Sequence, residues 1–141
     1  MTEPVQDLPG KLELSSEIHS IRCLESVIQR IFSEHNIPED FFGSVLVALT
    51  EAANNAILHG NRCDPQKKVA IHYRCDGTLL CFEVRDEGKG FNPDRLPDPT
   101  DPENLEKPNG RGVFLMRQLA DSMEFRNEGR EVCLEFRVCA P

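Results

Sequence analysis

Apolar positions change their spacing along the chain, and each change marks a new element. Lys11 to Leu14 alternates weakly and reads as a first strand. Ile18, Ile21, Leu24, Ile28 and Ile31 then recur at helical spacing. Ser15 or Ser16 is placed to cap that helix, which begins near Glu17. His35-Asn36-Ile37-Pro38 ends it. Pro38-Glu39-Asp40 suits the first turn of a second helix. That helix runs to about His59, with Gly60 as the left-handed residue past its end.

After Pro65 the period falls to two. Val69, Ile71 and Tyr73 alternate with polar residues, Asp76-Gly77 marks a turn, and Leu80, Phe82 and Val84 alternate again, which is a β-hairpin. From Phe91 to Asn109 the pattern breaks, and this stretch holds five of the chain's ten prolines. A loop this long inside a compact domain is usually a functional lid or disordered. A third helix is expected from about Gly112 to Ala120. Two strands follow, Met123–Asn127 and Glu131–Cys139, joined at Glu128-Gly129-Arg130. The order predicts an α+β fold: a two-layer sandwich with a mostly antiparallel (mixed) sheet and three helices on one face.

Composition narrows the function. The 141 residues fit one domain, 1–141. Lys and Arg number 16 against 24 Asp and Glu, a formal charge of -8. So acidic a chain is poorly suited to nucleic acid, where affinity comes mainly from phosphate neutralisation. It is equally ill matched to anionic membrane surfaces. No uninterrupted apolar run approaches the roughly 18–20 residues of a membrane span. The start, Met1-Thr2-Glu3-Pro4, has no basic–apolar leader pattern. Six cysteines form no CxxC pair, which points to reduced thiols and a cytoplasmic setting.

The second helix carries the first chemical signal. Gly43 to Asn61 spans 19 residues with one formal charge, Glu51; at the chain's average of 28% charged residues about five are expected. Phe42, Val45, Leu46, Leu49, Ala53, Ala56 and Ile57 form the core-facing set. The other side offers Val47, Ala48, Glu51, Asn55 and Leu58, and reads as a face covered by something else. Glu51 and Asn55 stand one above the other, four residues apart. An Asn oxygen is a neutral ligand for Mg²⁺, and a nearby carboxylate can deprotonate an attacking hydroxyl. A lone surface acid beside a hydrogen-bonding amide would look the same from this helix alone.

Two glycine motifs follow. In Asp86-Glu87-Gly88-Lys89-Gly90, at a strand exit, the carboxylate can accept from an exocyclic amine such as that of adenine, and the glycines let backbone approach a flat ligand. Gly110-Arg111-Gly112 lies between the long loop and the third helix, where backbone N–H groups can meet phosphate. Each motif alone is weak. No P-loop occurs, nor the protein-kinase signature set.

Taken in order, Glu51-Ala-Ala-Asn-Asn55, Asp86-Glu-Gly-Lys-Gly90 and Gly110-Arg-Gly-Val-Phe-Leu115 resemble the N box and two glycine boxes of the gyrase, heat-shock chaperone, histidine kinase and MutL ATPases. The stretch Thr50 to Asn61 is most similar to the bacterial anti-sigma-factor serine kinases. The resemblance implies a Bergerat-type ATP-binding fold with an ATP lid at about 91–109. It implies ATP and Mg²⁺ as cofactors, with Asn55 holding the metal. Glu51 would be the general base and Asp86 the adenine acceptor. Gly88 and Gly90 would leave room for the base, while Gly110, Arg111 and Gly112, with Lys107 a weaker candidate, would close on the phosphates. It also implies a sigma factor and an anti-anti-sigma antagonist of the STAS type as partners, and a homodimer. The lid departs from expectation in being acidic: Asp94, Asp98, Asp101, Glu103 and Glu106 stand against Arg95 and Lys107. The competing reading is a nucleotide-gated binding module without significant kinase activity.

Overall fold

The structure, a computed structural model, describes residues 5–8, 10–90 and 108–139. Six strands form one sheet: β1 (Val5–Leu8), β2 (Lys11–Ser15), β3 (Lys68–Cys75), β4 (Leu79–Arg85), β5 (Ser122–Arg126) and β6 (Glu131–Arg137). The spatial order is β1-β2-β3-β4-β6-β5. Among the described residues every pairing is antiparallel, so the expected α+β sandwich is there built on an antiparallel sheet. Strand β1 was not anticipated: four residues ending at Pro9-Gly10 are too short to show a period.

Registered side chains explain the layer. Leu12, Ile71, Val84, Val132 and Phe125 form one cross-strand row over five strands. Tyr73, Phe82, Leu134 and Met123 form the next. These rows face the core and are covered by α1 (Leu24–His35), α2 (Phe42–Asn55) and α3 (Pro108–Leu119). The opposite sheet face is charged, with Glu13, Arg85, Glu131 and Arg126 alternating in sign across the strands.

The turn chemistry between strands holds. Asp76 Oδ1 accepts from the N–H groups of Thr78 (2.9 Å) and Leu79 (2.8 Å), closing the β3–β4 hairpin. The first helix differs from expectation. Ile18–Cys23 winds as a 3₁₀ turn and the α-helix starts only at Leu24. Neither serine caps it: Ser16 Oγ donates to Lys67 O at 2.6 Å, and Ser15 bonds the Ser20 hydroxyl. Asn36 ends α1 in the left-handed conformation (φ 54°), which short polar side chains tolerate.

The second helical stretch is compound. A 3₁₀ turn (Glu39–Phe41) leads into α2, and Ala56–Gly60 widens into a π turn. Gly60 is not the left-handed residue; that conformation falls to Arg62 (φ 52°) and Cys63 (φ 57°). Ala48 and Ala52, at 0% and 1% exposure, are core residues. The unusual apolarity of α2 reflects packing on two sides, against the sheet and against α3. The path Glu39–Gly60 is in fact long and apolar enough to cross a membrane by length and composition. The criterion of an uninterrupted run missed it, because scattered polar residues break the run but barely lower the average. Here Val45, Ala48, Leu49, Ala52, Ala53 and Ile57 are buried in the protein's own core. All six cysteines are free thiols.

Candidate functional site

The residues singled out from sequence come from three elements that meet at one end of the sandwich. Glu51 and Asn55 project half-buried from the last turns of α2. Helix α3 crosses beside them at Gly112. A methyl group on Gly112 would sit 3.0 Å from Glu51 Oε2 and from Asn55 Nδ2, and 3.3 Å from Asn55 Oδ1. Glycine is what allows the helix to approach that closely.

Asp86 follows the end of β4. Its N–H donates to Arg130 O (2.9 Å), and its Oδ1 accepts from Gly88 N–H (2.7 Å). Burial pushes its carboxyl above the usual carboxylate range, against the opposing effects of the Gly88 N–H and the Arg130 and Lys67 charges. The loop after Asp86 packs on glycines. A methyl group on Gly60 would lie 2.3 Å from Asp86 Cγ and Oδ2, and one on Gly88 would lie 2.0 Å from Gly60 O. Gly90 is left-handed (φ 82°), with Glu128 O 2.3 Å from where its Cβ would be.

Between these elements is a cavity of about 480 Å³, within the range of small-molecule sites. Asn55, Asp86 and Gly90 line it together. Its apolar walls are Val84 and Val132 from the sheet, Met116 from α3, Ala56 and Phe125. The long cross-strand row of the core thus continues as the cavity wall. His59, whose imidazole burial lowers from its ordinary value, and Arg62 lie at its edge. A smaller depression alongside shares His59, Gly60, Arg62 and Gly90, and adds Asn61, Asp64, Lys67 and Lys89. The cavity can accommodate a flat apolar group against its walls, with one acceptor at Asp86 and one amide at Asn55.

Not every expected residue lines it. Glu51, Gly88 and Gly112 stand behind or beside the cavity, and Arg111 is exposed. The helix expected from about Gly112 starts at Pro108, so Gly110 and Gly112 both lie inside it. Proline fits a first helical position, and two glycines do not stop a helix that packs on α2. Positions 91–107, the expected lid with Lys107, lie outside the described residues.

Three residues were missed. Gly60 looked like an ordinary helix terminator, but its role is close approach to Asp86. Arg130 looked like part of a turn, but its Nε donates to Gly88 O (2.8 Å) and its Nη2 to Lys89 O (3.0 Å). Asn61 sat inside the recognised stretch without a reason attached. It is 1% exposed and bonded to three partners. Only the His-Gly-Asn sequence next to the helix end hinted at any of them. One further cluster, Glu83, Glu131 and Cys133, lies on the charged sheet face. There the Glu131 carboxylate is already engaged by Asn127 Nδ2 (2.7 Å) and Arg85 (3.2 Å).

Comparison with known proteins places the chain. Residues 14–137 match the family model described as the histidine kinase-like ATPase domain. A protein named Anti-sigma F factor from Clostridium perfringens (strain SM101 / Type A) is 30% identical over 101 residues, 67% of this chain and 71% of the relative. Another of that name from Geobacillus stearothermophilus is 32% identical over 107 residues, 71% of this chain and 72% of the relative. Among solved structures, that of the RsbU and RsbW domains of Rv1364c from Mycobacterium tuberculosis matches with a TM-score of 0.61 at 16% identity. It covers 93% of this chain, which spans 33% of that one. The last likeness is one of fold alone.

Proposed function

The chain belongs to the histidine kinase-like ATPase domain family, on its anti-sigma-factor branch, and from that premise we propose that it is an Mg-ATP-dependent serine/threonine protein kinase acting as an anti-sigma factor. In this reading residues 1–141 are one such domain, working as a cytoplasmic homodimer. It holds a sigma factor inactive, or instead binds an anti-anti-sigma antagonist of the STAS type and phosphorylates it. The observation that carries the reading is that Asn55 and Asp86, from two separate motifs, line one cavity of nucleotide size.

The roles follow the chemistry of the groups. Asp86 accepts a hydrogen bond from the adenine amino group, and Gly88 and Gly90 leave space for the ring. Gly110 and Gly112 let α3 approach the phosphates, and Arg111 adds a charge-assisted contact. The donor set suits Mg²⁺ in that Asn55, on the cavity lining, offers a neutral amide oxygen. Magnesium takes few protein oxygens and completes its shell with water and phosphate. When bound it neutralises charge on the transferring phosphoryl group. Glu51 takes the proton of the attacking serine or threonine hydroxyl, an acid–base contribution of about 10²–10⁴-fold.

The test has two parts. Calorimetric titration with ATP, with and without Mg²⁺, is expected to show magnesium-dependent binding that weakens at least about tenfold in Asn55→Ala. Phosphate transfer to a candidate antagonist is expected to fall at least about 100-fold in Glu51→Ala. No ATP binding under either condition overturns the reading. ATP binding without transfer to any antagonist leaves a nucleotide-gated binder.

A further inference from the structure

Asn61 follows the π turn and is buried among groups that the proposed chemistry does not use. Its Nδ2 donates to Ser16 Oγ (2.9 Å) and Lys68 O (3.0 Å). Its Oδ1 accepts from the backbone N–H of Glu87 at 2.7 Å. Three of the amide's four hydrogen-bonding positions are therefore occupied. Glu87 sits between Asp86 and Gly88, so the last of these bonds grips the loop that carries the half-buried Asp86 carboxylate. The loop is reinforced on the same side by Lys68 N–H, which donates to Glu87 Oε2 (2.6 Å). Arg130 grips it from the opposite side through Gly88 O and Lys89 O. Removing the Asn61 amide leaves a backbone N–H without its partner and frees the loop on the α2 side.

We infer that Asn61 is a positioning residue for recognition of the purine ring, holding the Glu87 N–H so that the Asp86 carboxylate points at the ring's amino group. The inference rests on the proposed ATP-binding role and goes beyond it by assigning nucleobase discrimination to a residue that does not line the cavity. A merely structural asparagine would stabilise the fold without sorting bases.

The experiment measures affinity for ATP and for inosine triphosphate, which carries a carbonyl where adenine carries an amino group. The native protein is expected to prefer ATP. In Asn61→Ala that preference shrinks about tenfold, the loss expected for a misplaced hydrogen bond to a charged group. Asn61→Asp keeps the acceptor facing Glu87 and is expected to retain the preference within about twofold, although it loses the donors to Ser16 and Lys68. If Asn61→Ala does not fold, Asn61→Ser replaces it, because its hydroxyl is one bond too short to reach the Glu87 N–H. Equal weakening of both nucleotides, or no change in either, overturns the inference. A native protein that binds the two nucleotides alike overturns the reading of Asp86 itself, and shows it before any variant is made.

Discussion

Gly60 lies against Asp86 so closely that a methyl group on it would fall 2.3 Å from the carboxylate carbon. No side chain fits there unless the carboxylate moves. Gly60→Ala is therefore expected to displace Asp86 and cost about 1–3 kcal/mol of overpacking. Calorimetry with ATP should show at least about a tenfold loss of affinity. Adding Asp86→Ala should restore thermal stability but not binding. An alanine variant with native affinity would mean that the carboxylate has no fixed working position.

Asp86 sets a conflict between stability and function. Burial raises its carboxyl above the ordinary range. The native state therefore holds that proton more tightly than the unfolded chain. The contribution of Asp86 to stability is at its best below the unfolded carboxylate pKa of about 3.9 and declines as pH rises through the elevated native value. Asp86→Asn escapes that decline. Without nucleotide, its melting temperature at pH 7 should exceed the native one by about a few degrees, and the two should converge near pH 3. ATP affinity should fall in the same variant. A nucleotide-free variant less stable than native at pH 7 would contradict this account.

Gly112 separates helix strength from chemistry. Alanine in a helix interior is favoured over glycine by about 1 kcal/mol, but its methyl group would press on Glu51 and Asn55 at 3.0 Å. Gly112→Ala is expected to unfold in urea within about 1 kcal/mol of native. Phosphate transfer should drop at least about tenfold in a single-turnover assay.

Leu134 anchors the middle of a core row and is fully buried. Leu134→Ala should lower unfolding free energy by about 2–5 kcal/mol. Urea denaturation checks this directly.

Much of this architecture was legible because apolar spacing follows burial. The alternation at Val69, Ile71 and Tyr73 and at Leu80, Phe82 and Val84 gave the central hairpin, and Asp76-Gly77 gave its turn. The long cross-strand row was not legible, since register depends on turns and neighbours rather than on any one strand. Helix ends were read least well. Ser15 and Ser16 have the chemistry of caps, but their hydroxyls serve Ser20 and Lys67 instead. Gly110 fell before the expected helix start at Gly112 because glycine weakens isolated helices, while packing on α2 decides the matter here. The site itself was half visible. Asn55, Asp86 and Gly90 carry recognisable chemistry, whereas Asn61 and Arg130 act through backbone groups, which leave no trace in composition.

The π turn at Ala56–Gly60 has a consequence for chain length. A turn this wide accommodates one more residue than an α-helical turn would in the same axial distance. Deleting one residue there would return the segment to uniform α-helical winding and leave the chain beyond it in phase. Helix α2 would remain intact and buried, and Asn55 would keep its place. A deletion inside the uniform part of α2 would instead rotate everything beyond it by about 100°, swinging Gly60 away from Asp86 and Asn61 from Glu87. The wide turn is therefore where this stretch can lose a residue while the Asn55 side and the Asp86 side of the cavity stay aligned.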